Sequence, residues 1–189
     1  MWRFVFVCAL YVMHLQSVQA QPVANAHTDR AVVFDIDGTL TPNVFAIWLA
    51  RHNAAASVQR YADAGFEIIY LSARVRMFQA GVGDWLTENG FPQGHLHLAV
   101  TDAAQDAPAQ FKADVLNAYR ARGWTIAAAY GDSTTDFEAY ARAGIPADHV
   151  FALRRAFHGS CKTGDWQGCY ATWVDLQPMI NGIIATAGQ

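Results

Sequence analysis

Residues 31–41, AVVFDIDGTLT, join an apolar run, Ala31–Phe34, to two carboxylates two positions apart, Asp35 and Asp37, and then to a glycine. A short apolar run bounded by a turn signal reads as a buried strand, which places both acids just beyond its carboxyl end. Beyond this stretch the chain alternates between helical and strand patterns. Val58, Tyr61 and Ala62 recur at the spacing of one helical face before Gly65 stops the segment, and Glu67–Leu71 (EIIYL) is a second strand. Residues Met77–Asn89 read as a helix ended by Gly90, His95–Val100 as a third strand, and Phe111–Arg122 as a helix stopped by Gly123. Thr125–Tyr130 (TIAAAY) is a fourth strand, Thr135–Ala143 a helix closed by Gly144, and His149–Leu153 a fifth strand. Strands alternating with helices of this length pair in parallel through right-handed crossovers, so the predicted class is α/β, a three-layer α/β/α doubly wound parallel sheet. No internal repeat or low-complexity tract divides residues 21–189, which read as one domain.

Ligands of such sheets sit beyond the carboxyl ends of the strands. Asp35 and Asp37 follow the first strand, Ser72 the second and Asp132 the fourth, so residues separated by almost a hundred positions converge on one rim. Two acids in a partly desolvated crevice repel unless a cation sits between them. Magnesium suits that place, being held by one or two carboxylates plus substrate phosphate, and Asp35, Asp37, Asp132 and Asp136 are the expected ligands. Asp35 can then attack phosphorus to form an aspartyl-phosphate, while Asp37 protonates the leaving group and later activates water. Ser72, Ala73, Arg74, Lys112, Gly38 and Thr39 are expected around the phosphoryl oxygens, the lysine as a point charge. Plainer roles exist for several of these: Asp-Gly as a turn former, Ser72 and Asp136 as helix caps, and Lys112, Arg74 and Arg76 as solvated charges.

Asp-x-Asp-Gly-Thr, a serine after a later strand, a lysine, and Gly-Asp-x-x-x-Asp, in that order, resemble the four motifs of the haloacid dehalogenase phosphatase superfamily over residues 31–155. A narrower resemblance lies in DIDGTLT, YLSAR, FPQGHLHL, QFKADVLNAY and AGIPADHVFAL, which look like successive segments of the catalytic domain of lipins, the magnesium-dependent phosphatidate phosphatases, and of its relative in phosphatidylinositol-transfer proteins. That likeness implies Asp35 as nucleophile, Asp37 as acid/base and phosphatidate as leading substrate. One departure touches substrate identity: lipins carry Gly-Asn-Arg-Pro-Asn-Asp where this chain has Gly-Asp-Ser-Thr-Thr-Asp. Superfamily members acting on small molecules often cover the site with an inserted cap, whereas Thr41–Glu67 and Arg74–Phe111 are used up by ordinary crossovers. The site is therefore expected to be open, with no large cap domain, and able to admit a phosphate carried by a lipid or a protein. Two other readings compete: a broad acid phosphatase acting on small soluble phosphomonoesters or nucleotides, and a non-catalytic phosphatidate-binding module, the role ascribed to the relatives in lipid-transfer proteins.

The remaining sequence bounds the setting. Arg3, the apolar Phe4–Leu15 and Val18-Gln19-Ala20 read as a cleavable signal peptide over residues 1–20, because twelve apolar residues fall short of the roughly 20 that span a bilayer. The expected product is exported, periplasmic or secreted, with no transmembrane span. Losing Arg3 leaves 12 basic against 16 acidic side chains, which does not suit a nucleic-acid binder. Cys161 and Cys169 remain as a pair, read as a disulfide in an oxidising compartment. His95 and His97 share one face of a strand but lack a third metal ligand. Phe157, Trp166, Tyr170 and Trp173 are expected to pack beneath the cysteine loop, with contact to lipid left open, and the oligomeric state is not legible.

Overall fold

The computed structural model describes residues 29–187, so the signal-peptide reading of residues 1–20 lies outside the described residues. Six parallel strands form one sheet: β1 (Arg30–Asp35), β2 (Glu67–Ser72), β3 (His95–Leu98), β4 (Thr125–Gly131), β5 (Val150–Leu153) and β6 (Gly168–Tyr170), in the order β3-β2-β1-β4-β5-β6. The order reverses at β1, which lies between β2 and β4, so the crevice that doubly wound sheets use for ligands opens beyond Asp35.

Alternation along β1 sends Val32 and Phe34 to one face and Ala31 and Val33 to the other, all fully buried. The first face is covered by α1 (Ala54–Asp63), α2 (Val82–Glu88) and α6 (Gln177–Ala187); the second by α4 (Pro108–Ala121) and α5 (Thr134–Arg142). A five-residue helix, α3 (Asp102–Asp106), precedes α4. The first core is aromatic: Tyr130 stacks on Phe34 and Phe151 with centroids 5.2 and 5.1 Å away, and Trp173 leans on it at 5.1 Å. Burying Tyr130 satisfies its hydroxyl against that of Tyr61 at 2.5 Å.

Four expectations need correcting. The segment read as one helix over Met77–Asn89 is a 3-10 turn, Arg76–Phe78, followed by α2, because Gly81 adopts φ 81° and breaks the helical path between them. The third strand ends at Leu98, short of Val100. Both β6 and α6 escaped the sequence reading, the first because three residues are too few to show a periodicity, the second because it follows an irregular stretch. The aromatic residues near the carboxyl end do not form one cluster: Trp173 is wholly buried in the core and donates to the Thr39 carbonyl at 3.2 Å, whereas Phe157 is wholly exposed. Cys161 and Cys169 are bridged, tying the loop before β6 to that strand. No cap domain interrupts the described residues, and no helix among them is long and apolar enough to cross a membrane.

Candidate active site

Asp35 ends β1 with its side chain almost fully buried. The chain then turns within a few residues: the amides of Thr39, Leu40 and Thr41 all donate to the Ile36 carbonyl. This tight loop needs glycine at position 38, where φ is 91° and a Cβ would fall 1.9 Å from the Asp132 carboxylate. Thr39 donates its hydroxyl to Asp35 Oδ2 at 2.9 Å, and Arg51 laces the loop to its surroundings through the carbonyls of Gly38, Thr41, Pro42, Arg154 and Ala171.

Lys112, projecting from α4, is buried with its ammonium between Asp35 Oδ1 and Asp136 Oδ1, each 2.5 Å away. Asp136 closes a capping box with Ser133, and its Oδ2 also accepts from the Asp132 and Ser133 amides. The helix-capping role and the site role of Asp136 therefore coincide. Asp132, just beyond β4, accepts from Arg155 Nε. Oxygens of Asp35, Asp132 and Asp136 all lie within 4.8 Å of one another, an arrangement of hard donors that suits a divalent cation.

Asp37 stands apart from that cluster, contrary to the expectation of a carboxylate shared with Asp35 around one ion. Arg74 offsets its charge instead, with Nη2 2.6 Å and Nε 3.0 Å from Oδ1, while Ser72 donates to Oδ2 at 2.6 Å. Arg74 is braced by the Ile47 carbonyl and lies over the Trp48 ring, 5.0 Å from its centroid.

The electrostatics follow from burial. Loss of water pushes the Asp35 carboxyl well above its usual range, with the Asp136 charge adding and Lys112 opposing. Burial likewise pushes Asp132 up to about 6 against the Arg155 hydrogen bond, which lowers it. For Asp136 burial also raises, but the charge and hydrogen bond of Lys112 prevail and hold it low. Burial alone would lower the Lys112 ammonium; Asp136 and Asp35 hold it raised. Four carboxylates face Lys112, Arg74 and Arg155, and Arg51 feels the Asp132 charge, so acids and bases balance here and the fit of a magnesium ion rests on the three clustered carboxylates.

A crevice of about 550 Å³ opens over this floor, within the range of ligand pockets. Asp35, Asp37, Lys112, Asp132 and Arg155 supply its polar side, and Val44, Phe45, Ile47, Val75 and Phe78 an apolar wall. Of the residues expected to hold phosphate, Ala73, Arg74 and Lys112 line the crevice. Ser72 and Thr39 are fully buried and spend their hydroxyls on Asp37 and Asp35, while Gly38 serves the approach of Asp132. Arg76 pairs with Asp102 in solvent. His95 pairs with Glu67 and His97 meets the Tyr119 hydroxyl at 3.0 Å, so each has a partner away from the acidic cluster. Sequence reasoning missed Arg51 and Arg155; the signal available was position, since Arg154-Arg155 directly follows the fifth strand at the rim where ligands bind.

Comparison with known proteins agrees with this geometry. The model of the family described as PITM 1-3, LNS2 domain matches residues 32–154. The chain is 34% identical over 130 residues to the membrane-associated phosphatidylinositol transfer protein 3 of Homo sapiens, covering 67% of this chain and 13% of that protein. It is 32% identical over 128 residues to the protein retinal degeneration B of Drosophila melanogaster, covering 66% and 10%. The chain thus spans a small fraction of the length of these relatives. In fold it is similar to the cobalt-bound deoxy-D-mannose-octulosonate 8-phosphate phosphatase of Haemophilus influenzae, with a TM-score of 0.54, 16% identity, and coverage of 86% of this chain and 90% of that one.

Proposed function

The chain belongs to the LNS2 domain family of the PITM 1-3 type, and we propose that it is a haloacid-dehalogenase-type phosphatase that hydrolyses a phosphomonoester carried by a lipid, with phosphatidate the leading substrate and magnesium the metal. The observation that carries this reading is that Asp35, Lys112 and Asp132 line the same crevice as five apolar side chains, Val44, Phe45, Ile47, Val75 and Phe78. Apolar lining of this extent suits acyl chains or a glycerol backbone.

Asp35, Asp132 and Asp136 would hold the ion, which when bound supplies positive charge to the phosphoryl oxygens. Lys112 fixes one Asp35 oxygen and Thr39 the other, so the nucleophile is held in one orientation. An Asp35 oxygen bonds to phosphorus as the ester oxygen leaves, taking a proton from Asp37. Asp37 then takes a proton from water as the water oxygen attacks phosphorus, and inorganic phosphate leaves with Asp35 restored. Arg74 faces both the crevice and Asp37, so an entering phosphate dianion draws the guanidinium toward itself and frees Asp37 to take up from bulk solvent the proton it then gives the leaving oxygen. Until then Arg74 and Ser72 occupy Asp37, the one observation favouring a module that binds phosphate without turning it over. The Cys161–Cys169 bridge supports an exported protein working in an oxidising compartment.

Phosphate release from phosphatidate in mixed micelles, set beside glycerol phosphate and a nucleotide monophosphate, tests the reading. Turnover should require magnesium, stop with chelator and favour phosphatidate. Asp35→Asn should cost at least about a thousandfold, roughly 4 kcal/mol of barrier. A rate within about tenfold of wild type would assign the nucleophile elsewhere. Retained phosphatidate binding with no turnover in the wild type would establish the binding module.

A further inference from the structure

We infer that the rim surrounding the crevice is a docking surface for an anionic lipid bilayer. Every large hydrophobic side chain that is exposed among the described residues lies in a segment leaving the carboxyl end of a strand: residues 36–53 after β1, 73–81 after β2, 99–101 after β3, 154–167 after β5 and 171–176 after β6. None lies on the opposite rim or on the outer faces of the α-helices. Scattered single hydrophobic residues are ordinary on a protein surface, but their confinement to the side that carries the active site is not. The most exposed are Phe157 at 101%, Phe45 at 92%, Met77 at 79% and Val100 at 61%, drawn from four loops.

Phe157 is the sharpest case. Its backbone lies in the left-handed region at φ 68°, a conformation that a bulky residue rarely adopts, and its ring meets only water. An aromatic side chain presented this way at a loop tip has the form of an anchor awaiting an apolar medium. Its neighbours set the sign of that medium. The loop of residues 154–167 contains three basic side chains and a histidine against one acid, Asp165, and neither Arg154 nor Lys162 pairs with a carboxylate among the described residues. Cationic groups beside exposed aromatic and aliphatic ones complement an anionic bilayer surface. A bilayer also fits the layout better than a folded partner, since dispersed anchors on several loops offer no continuous groove for a helix or strand, whereas a fluid interface admits each one separately.

This surface would bring the crevice to the phosphate of a membrane lipid. The inference uses the proposed phosphatase reading for its purpose, but the docking is tested without phosphatidate. Purified protein, its amino terminus read by mass spectrometry, is floated with vesicles of phosphatidylcholine alone or with about a third phosphatidylglycerol. The protein should float with the anionic vesicles and be released by salt. The double variant Phe157→Asn with Met77→Ser, neither residue lining the crevice, should bind at least about tenfold more weakly while its melting temperature and its release of p-nitrophenol from soluble p-nitrophenyl phosphate stay at the wild-type level. Equal flotation of variant and wild type, or no flotation of either, overturns the inference. A concentration-dependent dimer abolished by the same double variant also overturns it, assigning the rim to a second copy of the chain. Vesicle binding without turnover on any ester leaves the docking surface standing and removes the catalytic reading, while turnover without vesicle binding does the reverse.

Discussion

Replacing Lys112 by Met keeps the length and apolar stem of the side chain and removes only its charge, so it isolates what the ammonium does between Asp35 and Asp136. The side chains of all three residues are at most 4% exposed, and the two contacts are each 2.5 Å. Without the lysine, two carboxylates remain buried with no counter-charge between them, a defect that costs about 3–5 kcal/mol. For a domain of this size that lowers the melting temperature by about 6–20 °C. The loss should depend on pH with a definite sign. An acid whose folded-state pKa is raised takes up its proton in the native protein before the unfolded chain does, so stability is gained on acidification and lost as pH rises. Asp35 is already raised by burial and by the Asp136 charge, and the variant removes the Lys112 attraction that opposes both. The gap between variant and wild type should therefore narrow from pH 7.5 toward pH 5.5, and magnesium should narrow it further by taking the place of the lost cation. Thermal melts by circular dichroism across pH, with and without magnesium, make the measurement. Turnover of p-nitrophenyl phosphate in the same variant should fall at least about a hundredfold. A melting shift under about 2 °C at pH 7.5 would refute the reasoning, because it would mean that water or another cation already reaches the pair.

Arg155→Gln removes the guanidinium from Asp132 and should tighten magnesium binding about tenfold, about 1.4 kcal/mol, read as a larger magnesium-induced rise in melting temperature; an unchanged or smaller rise would show that Arg155 does not compete with the ion. His97 is held below its usual range first by burial and then by the charges of His95 and Arg122, so its contribution to stability is complete above the unfolded pKa and is lost as pH falls through the lower folded value; His97→Gln should flatten the decline of melting temperature below neutrality. Cys161→Ser with Cys169→Ser opens a short loop and should cost about 2–3 kcal/mol in urea unfolding at an unchanged rate on soluble esters; a loss in turnover larger than the loss in folded fraction would tie the loop to the active site.

The strand sequence was legible because β1, β2 and β4 are short apolar runs ending in the polar residues of the site, and the helices because glycines at 65, 90, 123 and 144 mark their stops. Residues 81 and 168–170 were not legible, since a left-handed glycine inside an apparent helix and a three-residue edge strand leave no pattern in a single chain. In the site, spacing located Asp35, Lys112, Asp132 and Asp136 as neighbours. It grouped the Asp37 carboxylate with them, whereas the loop closing on the Ile36 carbonyl pairs that carboxylate with Ser72 and Arg74. Tertiary pairing of this kind has no local signature, and the same holds for Arg51, whose five carbonyl partners are spread over residues 38–171.

Arg74 holds Asp37 apart from the cluster of Asp35, Asp132 and Asp136. With Arg51 counted beside Lys112, Arg74 and Arg155, four acids meet four bases, so in the proposed cycle a magnesium ion would add two positive charges and a phosphate dianion would return the floor to neutrality. Were Asp37 to share an ion with Asp35, Asp132 and Asp136, Arg74 would have no carboxylate to answer it. In the proposed mechanism, pairing Asp37 with a side chain that itself faces the crevice makes its release conditional on an arriving anion. Arg74→Lys, which keeps the charge but loses the two-point grip, should therefore weaken substrate binding and reduce the maximal rate together, whereas an arginine with only a structural role would leave the maximal rate of the folded fraction intact.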